Sequence, residues 1–341
     1  MLKQVYSGAI ETWLLDASPG MYRWGEADLT PPAAGQVKVR VIASALNHMD
    51  LWLTKGMPKP PFFPMVPGCD GAGIIEQVGP GVSAWSPGDE VVVNPSAACG
   101  QCPECLSDRS VYCADWGIRG EHLWGSHGES VVVGQADLVR RPAGVDWAVA
   151  AAYGLCWLTA YRMLERARLR AGETLLVVGA GGGVGTAALV LGCAMGARVF
   201  AISRQAAKRR HLQELGAVGV YGPDDDLPFR CDVVVDSVGA PTWGTALAAL
   251  RRGGRLVICG STAGPRVELN LPRLFFGQYE VIGSTMGTYR QFDEVTALVG
   301  SGLPVAVDQV LPLRDYPQAL QRLGSGEQFG KIVLDHRAPA G

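Results

Sequence analysis

The sequence contains no apolar run approaching the roughly 18–20 residues that a membrane-spanning helix needs. Its opening residues, MLKQVYSGAIETWLLD, carry no long hydrophobic leader core. Such a chain is expected in the cytoplasm, with no membrane partner. It also lacks an excess of either charge: 30 Lys and Arg face 32 Asp and Glu, a net charge of -2. That balance supplies no broad field for nucleic acid, and no basic patch interleaved with aromatics accompanies it. Internal repeats are absent as well. What the chain does have is length and apolar content, 341 residues at 48% hydrophobic, enough for two cores and small-molecule chemistry.

The nine cysteines are not spread as a secreted disulfide scaffold would spread them. Cys69, Cys156, Cys193, Cys231 and Cys259 stand alone in apolar surroundings, where a thiol behaves as a small buried hydrophobe. The other four, Cys99, Cys102, Cys105 and Cys113, share one loop with the spacing C-x2-C-x2-C-x7-C. Four thiolates on a compact loop suit tetrahedral Zn²⁺ and close its coordination shell, so the ion expected there is structural. The interval to the last cysteine is too long for the common bacterial iron–sulfur pattern.

Periodicity divides the chain. From Leu2 to about Val139, short apolar runs such as QVKVRVIAS, DEVVVN and ESVVVG alternate with Gly and Pro, which predicts strands in an irregular barrel or sandwich. Near Trp147 the pattern becomes helical. From Glu173, continuous apolar strands alternate with helices, the signature of a parallel sheet covered on both faces. After about residue 290 the pattern blurs, FGKIVLD reads as a last strand, and RAPAG as a loose end. VELNLPRLFFGQYEVIGS reads as an edge-strand region able to pair sheets across a two-fold axis.

Within LLVVGAGGGVGTAALVLG a buried strand runs into Gly179, Gly182, Gly183, Val184 and Gly185, and a helix comes next. Glycine lets the backbone approach a pyrophosphate, and the helix start receives its charge. At the end of the next strand an NAD site places an acid, whereas this chain has Ser203, Arg204 and Lys208 in AISRQAAKRR. A hydroxyl with cations suits the 2′-phosphate of NADP(H). Val238 and Ser261 come after later strands and are expected at the same carboxyl edge.

The strand-rich amino-terminal lobe, the four-cysteine loop, GAGGGVG after a strand, and the closing FGKIVL together resemble the medium-chain dehydrogenase/reductase superfamily, the zinc alcohol dehydrogenase and quinone oxidoreductase group. The resemblance implies an α/β fold: a GroES-like β-rich catalytic domain with the structural-zinc lobe (1–152), a doubly wound Rossmann domain with a parallel sheet (153–289), and a return segment (290–341), with a cleft between the two domains. It also implies a homodimer or homotetramer, His48 against the cofactor pyrophosphate, and Thr159 lining the nicotinamide pocket.

The departures from the family pattern are specific. Zinc-dependent members have Gly-His-Glu where VPGCDGAGIIEQVG has Gly68, Cys69 and Asp70; their first metal-ligating cysteine falls on Asn47, their relay hydroxyl on Met49, and their third ligand on Leu155, one place from Cys156. Asn47, Cys69 and Leu155 cannot hold the ion in the usual way. The expected activity is therefore NADPH-dependent hydride transfer to an activated C=C bond or a quinone, with Asn47 orienting substrate or ribose and Asp50 and Asp70 beside it. The tyrosine that zinc-free reductases carry five residues on is Trp52, and Thr54, Lys55, Asp50 and Asp70 are the candidate proton donors. Two alternatives stay open: a zinc alcohol dehydrogenase with rearranged ligands drawn from Cys69, Asp70, Asp50, His48 and Cys156, and a non-enzymatic protein that binds NADPH or single-stranded nucleic acid. His211 and His336, in a charged helix and the tail, are given no role, and His122 and His127 are read as structural.

Overall fold

The computed structural model describes residues 8–339; the first residues of the opening strand-rich stretch and the last two of RAPAG lie outside the described residues. Two compact units emerge. The first holds the chain up to Leu155, Thr288–Ser301 and Val307 onward; the second holds Cys156–Gly287 and Gly302–Ala306.

The first unit is built on a seven-stranded sheet in the order Val307–Pro312, Lys331–Asp335, Gln36–Ala45, Asp70–Val78, Glu90–Val93 and Leu138–Arg140, with Ser130–Gly134 also pairing to Gln36–Ala45. Alternation along Gln36–Ala45 turns Val37, Val39 and Val41 inward onto Ile75, Val91, Val131 and Val133. A second core gathers Trp13, Leu46, Tyr316, Leu323, Ile332 and Leu334. Strand register sets the cross-strand neighbours: Leu334 faces Ser44, and Ala45 faces Asp70. Lys331, Asn47 and Asp70, all at strand ends, are thereby brought side by side.

The second unit is a six-stranded parallel sheet in the order Gly219–Tyr221, Arg198–Ile202, Thr174–Val178, Cys231–Asp236, Leu250–Ile258 and Glu280–Gly283. This 3-2-1-4-5-6 order is that of a doubly wound nucleotide-binding fold. Its central strands Thr174–Val178, Arg198–Ile202 and Cys231–Asp236 are buried on both faces, which is why they read as unbroken apolar runs. The stretch VELNLPRLFFGQYEVIGS departs from the expected strand: Asn270 caps a helix, Leu271–Gly277, by accepting from Arg273 N at 2.9 Å, and only Glu280–Gly283 forms the edge strand. An N-cap Asn with Pro272 two places on is a helix start, and it outweighs the β-branched residues around it. Among the described residues no helix is long and apolar enough to cross a membrane.

Candidate functional site

In the second unit, Thr174–Val178 ends at Gly179, whose φ of +71° turns the chain, and the helix Gly183–Ala194 starts after the Gly182 cap with Val184 in its first turn. A Cβ on Gly185 would lie 2.4 Å from the Gly179 carbonyl oxygen and 2.6 Å from Ala180 Cα. Only glycine fits, and the first turn of the helix lies directly against the loop. Val238 and Ser261 adjoin the same edge: a Cβ on Gly179 would meet Val238 Cγ2 at 2.7 Å, and one on Gly239 would meet Ser261 Cα at 3.0 Å. Asp236 ties this edge together, accepting from Val238 N and Thr242 Oγ1, each at 2.7 Å.

Ser203 is buried at the end of the neighbouring strand and Arg204 is exposed. The buried Lys208 reaches back so that a Cβ on Gly181 would meet its Cδ at 2.7 Å. A cation thus flanks the glycine loop, although sequence places it far from those glycines. Thr159 donates to Met286 Sδ at 3.9 Å, both side chains buried. We expect Gly185→Ala to weaken NADPH binding at least about tenfold, because the obstructing atoms are backbone. Gly244→Ala, where a Cβ meets nothing within 4 Å, is the control; equal affinity for both variants in cofactor-fluorescence titration would contradict a pyrophosphate role for this loop.

In the first unit, the sulfur atoms of Cys99, Cys102, Cys105 and Cys113 lie within 4.8 Å of one another. Cys99 and Cys105 are 3.9 Å apart and Cys102 and Cys105 3.5 Å, near the spacing of about 3.8 Å that four Zn–S bonds in a tetrahedron impose. Backbone N–H groups of Gln101 and Cys102 pull the Cys99 thiol down to about 7, favouring the thiolate a metal needs. The lobe is anchored to the helix Tyr289–Gly300: Ala98 N donates to Tyr289 Oη at 2.9 Å, and Arg290 pairs with Asp108 at 2.6 Å.

The remaining sequence candidates meet at the strand ends of the same unit. Asn47 Nδ2 donates to Asp70 Oδ2 at 3.0 Å, Leu155 N donates to Asp70 Oδ1 at 2.6 Å, and Lys331 Nζ donates to Asn47 Oδ1 at 2.6 Å and Asp70 Oδ2 at 2.9 Å. Asn47, Asp70 and Lys331 are all buried. Positions 47 and 155, which the resemblance assigns to a catalytic metal, do converge, but on a carboxylate paired with an ammonium. Gly154 permits the approach: a Cβ there would lie 2.5 Å from Asp70 Oδ1.

Cys69 is fully buried, and its sulfur faces the Pro95 carbonyl at 3.6 Å. Burial, with Asp70 and Asp50 adding to it, pushes this thiol well up and keeps it protonated. Among the described residues, the four-cysteine lobe is the one cluster of metal-type ligands close enough to hold an ion. His48 opens the helix His48–Thr54 and packs near Trp52 with ring centroids 6.2 Å apart.

Asp50, on the same helix, accepts from Asn47 N at 2.7 Å and from Tyr316 Oη at 3.0 Å. Burial raises it to about 6 against the opposing pull of those donors and of Lys331. A carboxyl whose folded value exceeds its unfolded one of about 3.9 contributes stability that is complete below pH ~4 and is lost as pH rises through ~6, here about 3 kcal/mol. The wild-type minus Asp50→Asn difference in urea-unfolding free energy should therefore be lower at pH 7 than at pH 4 by about 2 kcal/mol; a pH-independent difference would refute the elevated value.

Lys331, the central cation, stands in the sequence only as the third residue of FGKIVLD. Its one signal there is a cation opening the apolar run IVL, which Asp335 closes. His336, expected in the tail, instead sits beside the sheet with Nε2 2.8 Å from Ser44 Oγ, and His127 is fully buried.

The amino-terminal unit matches the family model "Alcohol dehydrogenase GroES-like domain" over residues 33–143, and residues 183–301 match "Zinc-binding dehydrogenase". An acryloyl-coenzyme A reductase of Metallosphaera sedula is 31% identical over 318 residues, covering 92% of this chain and 96% of that protein. The crystal structure of a thermostable alcohol dehydrogenase from Pyrobaculum aerophilum superposes with a TM-score of 0.91 at 34% identity, over 96% of this chain and all of that one. A 2-octenoyl-CoA carboxylase reductase in complex with NADP and 2-octenoyl-CoA gives 0.90 at 25% identity, over 98% of this chain and 89% of that one.

Proposed function

Because the chain belongs to the medium-chain dehydrogenase/reductase superfamily of oxidoreductases, we propose that it transfers hydride from NADPH to an activated C=C bond or a quinone, without a catalytic metal. The observation that carries this reading is the buried Lys331 ammonium seated between Asn47 and Asp70. A second cation entering that seat meets a fixed positive charge in a medium of low dielectric, a costly juxtaposition. The acryloyl-CoA reductase and octenoyl-CoA enzyme among its relatives support the choice of an enone-like acceptor.

When bound, NADPH supplies the hydride at the nicotinamide C4. Gly179, Gly182, Gly183 and Gly185 cradle its pyrophosphate, with Ser203, Arg204 and Lys208 at the 2′-phosphate. Val238, Ser261 and Thr159 complete the cofactor wall. Lys331 and Asp70 fix the Asn47 carboxamide, which orients the acceptor, and His48 keeps the cofactor-binding role that the resemblance implies. Cys99, Cys102, Cys105 and Cys113 hold one structural Zn²⁺. For the homodimer or homotetramer, the pairing surface is the open edge strand Glu280–Gly283 beside the exposed Phe275 and Phe276.

The test is initial-rate measurement with NADPH and NADH against enoyl-CoA thioesters, enals and quinones, and with NADP⁺ against alcohols. Turnover of the first group with NADPH, and an NADPH preference that falls about tenfold in Arg204→Ala, is expected. Activity confined to alcohols and abolished by chelators would favour a metal-dependent alcohol dehydrogenase instead; binding of NADPH without turnover of any acceptor would favour a non-enzymatic role.

A further inference from the structure

The strand Arg198–Ile202 leads into a run with four cations, Arg204, Lys208, Arg209 and Arg210, and the structure gives them different surroundings. Arg204 is exposed, and Arg210 stands in solvent, paired with Glu214 at 3.0 Å. Lys208 is buried against Gly181 of the glycine loop. Arg209, half-buried on the helix Ala206–Glu214, turns the other way: its Nε donates to Ser203 O at 3.4 Å, and its Nη2 would lie 2.8 Å from a Cβ on Gly222. We propose that Arg209 is a further determinant of cofactor specificity, a guanidinium fixed between Ser203 and Gly222 that binds the ribose 2′-phosphate of NADPH from the side opposite Lys208.

Strand order produces this arrangement. Arg198–Ile202 lies between Thr174–Val178 and Gly219–Tyr221, and the three are parallel, so Gly179, Ser203 and Gly222 follow their carboxyl ends along one edge. In a doubly wound sheet the ribose is read at the end of the middle one of these strands. There Lys208 reaches the glycine loop on one side of Ser203, and Arg209 reaches Gly222 on the other. Ser203 N donates to Tyr221 O at 3.0 Å, which ties the two strand ends together. Phe229 supports that corner, stacked on Phe200 with centroids 4.0 Å apart and edge-on to Tyr221 at 5.7 Å.

The chemistry of Arg209 suits a phosphate. Its Nε–H is used on the Ser203 carbonyl, and among the described residues no carboxylate pairs with it. Asp225, across Gly222, accepts instead from Gly222 N at 2.6 Å. The other guanidinium donors form a planar fork that matches phosphate oxygens. Because the Ser203 carbonyl already orders this side chain, binding costs less rotamer freedom than it does for the exposed Arg204. Gly222 takes part, since a side chain there would stand where Nη2 lies. In the sequence Arg209 is hidden: Lys208, Arg209 and Arg210 read as one solvated helix face, and only the tertiary structure turns two of them onto the strand ends. The proposal rests on the reading of NADPH as the cofactor.

The test is calorimetric titration of the full chain with adenosine 2′,5′-bisphosphate and with 5′-AMP, which differs only in lacking the 2′-phosphate. Wild type should bind the bisphosphate more tightly. Arg209→Ala should lower affinity for the bisphosphate at least about tenfold and leave that for 5′-AMP unchanged. Arg209→Lys, which keeps the charge without the fork, should fall between the two. Gly222→Ala, which pushes the guanidinium aside without removing its charge, should narrow the preference in the same direction, and it replaces Arg209→Ala as the test if that variant does not fold. Equal losses for both ligands in Arg209→Ala would mark a structural residue and overturn the proposal. A wild type that binds both ligands equally would remove the NADPH reading and the proposal together. A wild-type preference that persists undiminished in Arg209→Ala and falls in Arg204→Ala would remove the proposal and leave that reading standing.

Discussion

Lys331→Met is expected to destabilise the protein by about 3–5 kcal/mol, the cost of removing one partner from a buried ion pair. Asp70 would keep its charge and its hydrogen bonds from Asn47 and Leu155 but lose the only ammonium that the described residues place within 4 Å of it. Asp70→Ala should cost a similar amount by stranding Lys331 and the Leu155 N–H. The double variant Lys331→Met/Asp70→Asn should recover more than half of the loss, since the carboxamide oxygen still accepts from Leu155 N, its NH2 donates to Asn47 Oδ1 once that side chain flips, and no uncompensated charge remains. Urea denaturation measures all three. A Lys331→Met loss below about 1 kcal/mol would mean the pair behaves as an exposed one, which would remove the ground for reading this seat as closed to a second cation.

The second large effect concerns the cysteine lobe. Purified protein should contain one zinc per chain by elemental analysis, and Cys99→Ser or Cys102→Ser should contain none. Because metal binding free energy is folding free energy for such a loop, loss of the ion should also loosen the lobe. Ala98 and Asp108 hold that lobe to Tyr289 and Arg290, so the damage should reach the start of the helix Tyr289–Gly300 and lower the melting temperature by on the order of 10 °C. Cys69→Ser should leave the metal content at one. Two zincs per wild-type chain, one of them removed by Cys69→Ser, would instead establish a rearranged catalytic metal site.

Legibility in the sequence depends on how local each signal is. The glycine loop and the cysteine loop concentrate their chemistry within a few consecutive residues, where spacing alone fixes geometry. The doubly wound sheet is legible because both-faces burial leaves unbroken apolar strands. The short helix Leu271–Gly277 reads as strand because its flanking residues are strand-like, and only its Asn-x-Pro start points the other way. Asn47 and Asp70 stand out because they depart from the family's metal-site pattern, but nothing beside them in the chain names Lys331, the ammonium that pairs with them.

The sequence by itself determined the two-unit α/β architecture, the place of the nucleotide loop and the four-thiol lobe. Only the tertiary structure decided that Lys331 pairs with Asp70 across 261 positions, that it meets Asn47 across 284, and that Ser44 meets His336 across 292. The reason is physical: strand register places residues opposite one another with no trace in local spacing, and burial that leaves Asp70 and His127 at 0% exposure turns those meetings into interactions strong enough to define the site.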